Sequence, residues 1–207
     1  THVPSDHSKG RRVFVKQHPL PRDASEPGLE YLRENVGRPA GRPLYEADPE
    51  GFCVGQMMVR PFATSHGSVG SLGYRISLPD GQELGFATDL GCYTEAVEEG
   101  LRGCRTVMLE SNYDDGMILV SDYPYYLKRR IQSRSGHLSN SDCAAALPAL
   151  AQNGTRNFVL GHLSQNNNLG LLAQQASEQA LLQAGLERGD FTLQIANRSQ
   201  LSQPVLL

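Results

Sequence analysis

The chain has 207 residues and a mass of 22.6 kDa, which suits one domain with a sizeable core. Lys and Arg number 19 against 22 Asp and Glu, and the net charge of −3 excludes a global electrostatic drive onto nucleic acid or anionic membrane, so any such contact must come from a local patch. No apolar run approaches bilayer length and no signal peptide is seen, while Cys53, Cys92, Cys104 and Cys143 lie far apart without a C-x-x-C pair. These features predict a cytoplasmic protein with reduced thiols.

The chain opens directly on Thr1-His2-Val3-Pro4-Ser5-Asp6-His7, without an initiator methionine. A ligand loop is normally positioned by a preceding strand, so the expectation is a single domain over 1–207 that lacks its N-terminal strands. Val13–Lys16 reads as a short strand, and Gly28–Asn35 as a helix closed by Gly37. Gly37–Pro49 is rich in Gly and Pro and reads as a connection. Gln56–Ala63 is β-rich. Leu72–Ser77 and Glu83–Ala87 read as a hairpin around Pro79-Asp80-Gly81. Tyr93–Leu101 suits a helix, Thr106–Leu109 a strand and Tyr123–Ile131 a helix. Asn140 or Ser141 can cap a helix through Leu150, with Pro148 disturbing its last turn. Asn157–Leu160 is a short buried strand, Asn168–Ala184 a long helix closed by Gly185, and Phe191–Ile195 a final strand. Early hairpins followed by alternating strands and helices predict a layered α/β protein with a mixed sheet.

His66, Asp89 and His162 share one placement, each just past a predicted strand, where rigid scaffolds commonly present chemistry. A lone histidine there is usually a satisfied hydrogen-bonder. Three such positions beside the Asp6-His7 pair favour a metal site, because imidazole and carboxylate hold zinc, manganese or iron. Gly67, Gly70 and Gly73 do not make a phosphate loop, since the strand Tyr74-Arg75-Ile76 follows them rather than a helix N-terminus. The stretch holding Tyr123, Tyr125, Tyr126, Lys128, Arg129 and Arg130, with Arg134, mixes aromatics and cations. It reads either as a nucleic-acid contact surface or as a solvated basic helix, and its place just before His137 favours the first.

These segments resemble the metallo-β-lactamase-fold hydrolases, and specifically their bacterial exonuclease group of the YycJ/WalJ type. The resemblance is carried by Pro61-Phe62-Ala63-Thr64-Ser65-His66, Gly73-Tyr74 and Ala87-Thr88-Asp89-Leu90-Gly91. It continues through Leu109-Glu110-Ser111-Asn112-Tyr113-Asp114, Tyr123-Pro124-Tyr125, Gly136-His137-Leu138-Ser139-Asn140 and Gly161-His162-Leu163-Ser164-Gln165-Asn166-Asn167. It implies an αββα four-layer sandwich with a di-metal site at one sheet edge. It also implies metal ligands at His2, Asp6, His7, His66, Asp89 and His162, and two divalent ions, zinc or manganese. His137 resembles the histidine that binds phosphate or protonates the leaving group in related nucleases, and Asp6 joins it as a catalytic residue. Tyr125, Lys128, Arg129, Arg130, Arg134 and Asn140 are the expected substrate contacts.

The chain departs from the group's pattern where Pro4 replaces a ligand histidine, Gly67 an aspartate and Tyr113 a frequent histidine, and where Arg22-Asp23 interrupts what is normally an apolar strand. The expected activity is a DNA phosphodiesterase or exonuclease, in which hydroxide activated by two ions attacks phosphorus. Two other readings stay open: hydrolysis of a small ester, thioester or lactam on the same scaffold, or a metal-impaired binding protein.

Overall fold

The computed structural model describes residues 22–35, 44–68, 70–197 and 200–205. The expected strand at Val13–Lys16 and the segment holding His2, Pro4, Asp6 and His7 lie outside them. A short parallel pair is formed by β1 (Arg22–Ala24) and β2 (Leu44–Glu46), with helix α1 (Glu26–Asn35) between them. The main sheet has seven strands in sequence order. They are β3 (Phe52–Val54), β4 (Met57–Ala63), β5 (Leu72–Ser77), β6 (Glu83–Ala87), β7 (Thr106–Glu110), β8 (Asn157–Gly161) and β9 (Thr192–Ile195). Pairing is antiparallel from β3 to β6 and parallel from β6 to β9. Hairpins build the first half and helical crossovers the second, as their sequences predict.

Two registers define the faces of this sheet. Gly85, Val107, Phe158 and Leu193 stand side by side, as do Ala87, Leu109, Leu160 and Ile195. These two rows meet α2 (Glu95–Leu101), α5 (Asn140–Gln152) and α6 (Gly170–Gln183), which supply Val97, Leu101, Leu147, Leu150, Ala173 and Leu181 to one core. On the opposite face Phe86, Met108 and Val159 are in register and half-buried. That is the face on which a four-layer sandwich places its second sheet. Two short helices, α3 (Asp115–Val120) and α4 (Tyr125–Ile131), lie between β7 and α5.

The local signals mostly hold, with four corrections. Gly37–Pro49 is not wholly a connection, because Leu44–Glu46 pairs with β1. The strands β1 and β3 and the helix α3 were not expected, since three to six residues carry too little periodicity. The cap of α5 is Ser139, whose Oγ accepts from the Asp142 amide at 3.0 Å, rather than Asn140 or Ser141. That helix runs past the expected end at Leu150 to Gln152, with Pro148 inside it. The hairpin turn forms as expected, with Gly81 at φ 85° and the Gln82 amide bonded to Asp80 Oδ1 at 3.0 Å.

Candidate metal centre

Strands β6, β7 and β8 run parallel, and β4 has the same direction because two antiparallel steps separate it from β6. Their C-terminal ends therefore share one edge. His66 follows β4, Asp89 follows β6, Glu110 ends β7 and His162 follows β8. His137, in the loop between α4 and α5, reaches the same place. Its ring centroid lies 5.0 Å from that of His66 and 5.2 Å from that of His162.

Asp89 and His162 are the only non-glycine residues with positive φ among the described residues, at 61° and 57°. L residues avoid this region, and such strain persists only where the surroundings over-determine it, as at functional sites. The Asp89 carboxylate is buried, and Thr88 Oγ1 donates to its Oδ2 at 3.1 Å. His162 Nε2 lies 3.7 Å from Asp89 Oδ1. That is longer than a hydrogen bond, and it matches the spacing of two ligands each about 2.1 Å from a shared ion.

The tautomers are fixed from outside. His66 Nδ1 donates to the Gly136 carbonyl at 2.8 Å, which leaves its Nε2 with the ligand lone pair. The Nδ1 atoms of His162 and His137 approach the same oxygen, Glu110 Oε1, at 2.6 and 2.8 Å. Glu110 Oε2 accepts the amides of Leu90 at 2.8 Å and Leu138 at 3.4 Å. Burial alone would raise the pKa of this fully buried carboxyl, but hydrogen bonds from His137 and His162 outweigh it and hold the group ionised below the usual carboxylate range. Asp89, Glu110, His137 and His162 thus bring donor atoms within 4.8 Å of one another. Glu110 is the orienting member of that group, because both of its oxygens are already committed.

Sequence reasoning gave Glu110 no role, although it ends a strand as the other site residues follow theirs. It also missed two asparagines. Asn112 Nδ2 donates to the His162 carbonyl at 2.7 Å, and the Asn112 carbonyl accepts the Ser164 amide at 2.7 Å. Asn168 Nδ2 bonds the carbonyls of Ser111 and Asn112 at 2.8 and 3.1 Å. Asn140, expected to touch substrate, instead joins this scaffold. It is 3% exposed, accepts from Ser111 Oγ at 2.7 Å and donates to Asn168 at 2.9 Å.

A cleft opens from the histidines between Tyr123, Leu127, Arg130 and Ile131 on one side and Ser164–Asn166 on the other. Among its lining residues, Asn166 Nδ2 donates to Tyr123 Oη at 2.9 Å. Of the expected substrate contacts, Arg130 lines the cleft. Tyr125, Arg129 and Arg134 are exposed outside its lining, and Lys128 Nζ donates to the Leu119 carbonyl at 2.7 Å. Gly67, where the group has aspartate, bonds Ser135 O through its amide at 2.8 Å.

The profile of the beta-lactamase superfamily domain matches residues 1–163. The chain belongs to that family. It is 31% identical over 193 residues to "Exodeoxyribonuclease YycJ" of Bacillus anthracis, a match covering 92% of this chain and 72% of the relative. It is 29% identical over 196 residues to "Exodeoxyribonuclease WalJ" of Streptococcus pneumoniae serotype 2, with the same coverage. Among solved structures, the metallo-β-lactamase-fold protein YhfI of Bacillus subtilis superposes with a TM-score of 0.69 at 14% identity, over 95% of this chain and 72% of that one. Zn(2+)-bound PqqB of Methylobacterium extorquens superposes with a TM-score of 0.57 at 19% identity, over 92% of this chain and 65% of that one. These two likenesses show the fold, which is the metallo-β-lactamase fold.

Proposed function

We propose that this protein is a metal-dependent phosphodiesterase that degrades DNA from its ends. The observation that carries this reading is the pair of strained residues, Asp89 and His162, facing each other at a strand edge, with the imidazoles of His162 and His137 both held by Glu110. Support for the substrate comes from the relatives, which are named exodeoxyribonucleases.

The donor set fits divalent ions. His66, Asp89 and His162 would hold them here, and His2, Asp6 and His7 are the ligands the resemblance adds for a two-ion centre. Imidazole nitrogen suits zinc, and the carboxylates admit manganese. When bound, the ions lower the pKa of water to about 7 and stabilise charge on both the attacking and leaving oxygens. The rest is done by side chains. Nδ1 of His137 is committed to Glu110, so Nε2 is the atom it offers to a phosphate oxygen or, as a proton donor, to the leaving oxygen. Arg130 on the cleft wall neutralises a phosphate beside the scissile one. Asp6 would take the proton of the attacking water. A DNA substrate and four unpaired thiols favour the cytoplasm as its compartment.

The test is digestion of end-labelled oligonucleotides with zinc or manganese, before and after chelation. Wild type should shorten them only with metal, and His162→Ala should lose at least about a hundredfold in rate through a lost ligand. Cleavage that survives both chelation and His162→Ala would refute the metal reading. The apolar part of the cleft, formed by Met108, Leu127, Ile131 and Leu163, favours a second reading: hydrolysis of a small ester or thioester. Salt-independent turnover of such a compound, with no action on DNA, would support it instead.

A further inference from the structure

Helix α4 presents two surfaces. Leu127, Arg130 and Ile131, at i, i+3 and i+4, line the cleft. At its start, Tyr125 and Tyr126 are 77% and 74% exposed. Tyr126 shares a helix face with Arg129 and Arg130, so Arg130 belongs to both surfaces and joins them. Leu119 and Val120, at the end of α3, are also exposed. The outer ledge of α4 is tied down, because Lys128 Nζ bonds the Leu119 carbonyl and fixes the end of α3 against α4. The seven residues of α4 include three consecutive cations and no acid. Two adjacent open rings beside that charge, continuous with a cleft, combine the elements of a single-strand binding surface: π-faces for bases and cations for the backbone.

We propose that this ledge stacks the unpaired bases of a DNA single strand as it passes Arg130 into the cleft, a proposal that rests on the phosphodiesterase reading above. A duplex keeps its bases stacked inside and could use Arg129 and Arg130 but not the rings. The substrate class is therefore single-stranded DNA, including the single-stranded end of a duplex.

The experiment uses the full chain with its divalent ions and compares Tyr125→Ala/Tyr126→Ala with Tyr125→Phe/Tyr126→Phe. Both rings are exposed, so neither pair should disturb folding. The substrates are one oligonucleotide as a single strand and as a blunt duplex. Alanine should raise KM for the single strand about tenfold or more, with the effect on KM rather than kcat. Phenylalanine, which keeps the π-faces, should restore it, and the duplex KM should move less than twofold. Fluorescence anisotropy with the labelled single strand, after chelation, reads the ledge apart from the chemistry. Binding that is lost with alanine and kept with phenylalanine supports the ledge even where no cleavage occurs, in which case only the phosphodiesterase reading fails. An unchanged single-strand KM and affinity in the alanine pair, or an equal rise for the duplex, overturns the proposal. The ledge would then be a docking face for another protein.

Discussion

The two oxygens of Glu110 have separate duties, and neither can be exchanged for an amide group. Oε1 takes two imidazole protons and Oε2 takes backbone amides, so the buried group must be an acceptor throughout. Glu110→Gln keeps the shape but turns one position into a donor facing donors. Unmatched buried donors cost about 1–3 kcal/mol, and loss of an orienting partner typically costs 10–100-fold in metal affinity. Elemental analysis and thermal melting should show both losses together; metal retained at the wild-type level would sink the orienting role. The sign with pH follows from the depressed pKa. Stability from Glu110 is present above the ordinary carboxylate value of about 4.3 and is lost as the pH falls through the lower folded value. The wild-type advantage over Glu110→Gln should therefore shrink only on acidification below about pH 4. Asn112 acts on the backbone instead. Its side chain holds the carbonyl of a residue at φ 57°. Asn112→Ala removes that tie without touching a ligand atom. A cobalt-loaded Asn112→Ala protein should show an altered visible spectrum and weaker metal binding, whereas an unchanged spectrum would mean that Glu110 alone fixes the ring.

The loop between α4 and α5 works by close backbone approach. Gly67 N bonds Ser135 O at 2.8 Å, His137 N bonds Ile131 O at 2.8 Å, and a Cβ on Gly91 would fall against the backbone of Arg134 and Gly136. A Cβ on Gly136 would fall among the carbonyl oxygens of Ile131 and Arg130, which cannot rotate away as a side chain could. Gly136→Ala should lower the melting temperature by several degrees and also loosen His66, whose Nδ1 rests on the Gly136 carbonyl. Calorimetry checks the first effect and metal affinity the second; a neutral substitution would mean that the loop is free to yield. At this scale the sequence was readable where strands were long enough to show their pattern. The ends of β4, β6 and β8 were placed well, and with them His66, Asp89 and His162. Glu110 was hidden because a carboxylate at a strand end looks the same whether it faces solvent or two imidazoles. Asn140 was misjudged for the converse reason, since an amide beside a histidine motif does not announce that it is buried. The basic helix was found, but only the fold shows that Arg130 alone of its expected contacts turns into the cleft.

The core is continuous from α2 across the parallel strands to α5 and α6, so the described body should unfold as one unit, and its cysteines can report on this. Cys104 and Cys143 are both fully buried at separate places in that core, Cys53 is exposed on an edge strand and Cys92 is half-buried. Burial raises the Cys104 thiol and pushes Cys143 up to about 12, so neither holds appreciable thiolate at neutral pH. A thiol reagent at pH 8 should therefore modify Cys53 at once and Cys92 more slowly, while Cys104 and Cys143 wait for unfolding. Under rising denaturant the two buried thiols should become reactive with one midpoint, because Cys143 on α5 and Cys104 before β7 share the cluster that includes Leu147, Leu150 and Val107. Mass spectrometry of labelled peptides distinguishes the sites. If Cys104 reacts at clearly lower denaturant than Cys143, the stretch between α2 and β7 opens before α5 does, and the cluster is not one cooperative unit. Leu150→Ala, which creates a cavity in that cluster and should cost about 2–5 kcal/mol, must move both midpoints down together if the unit is single.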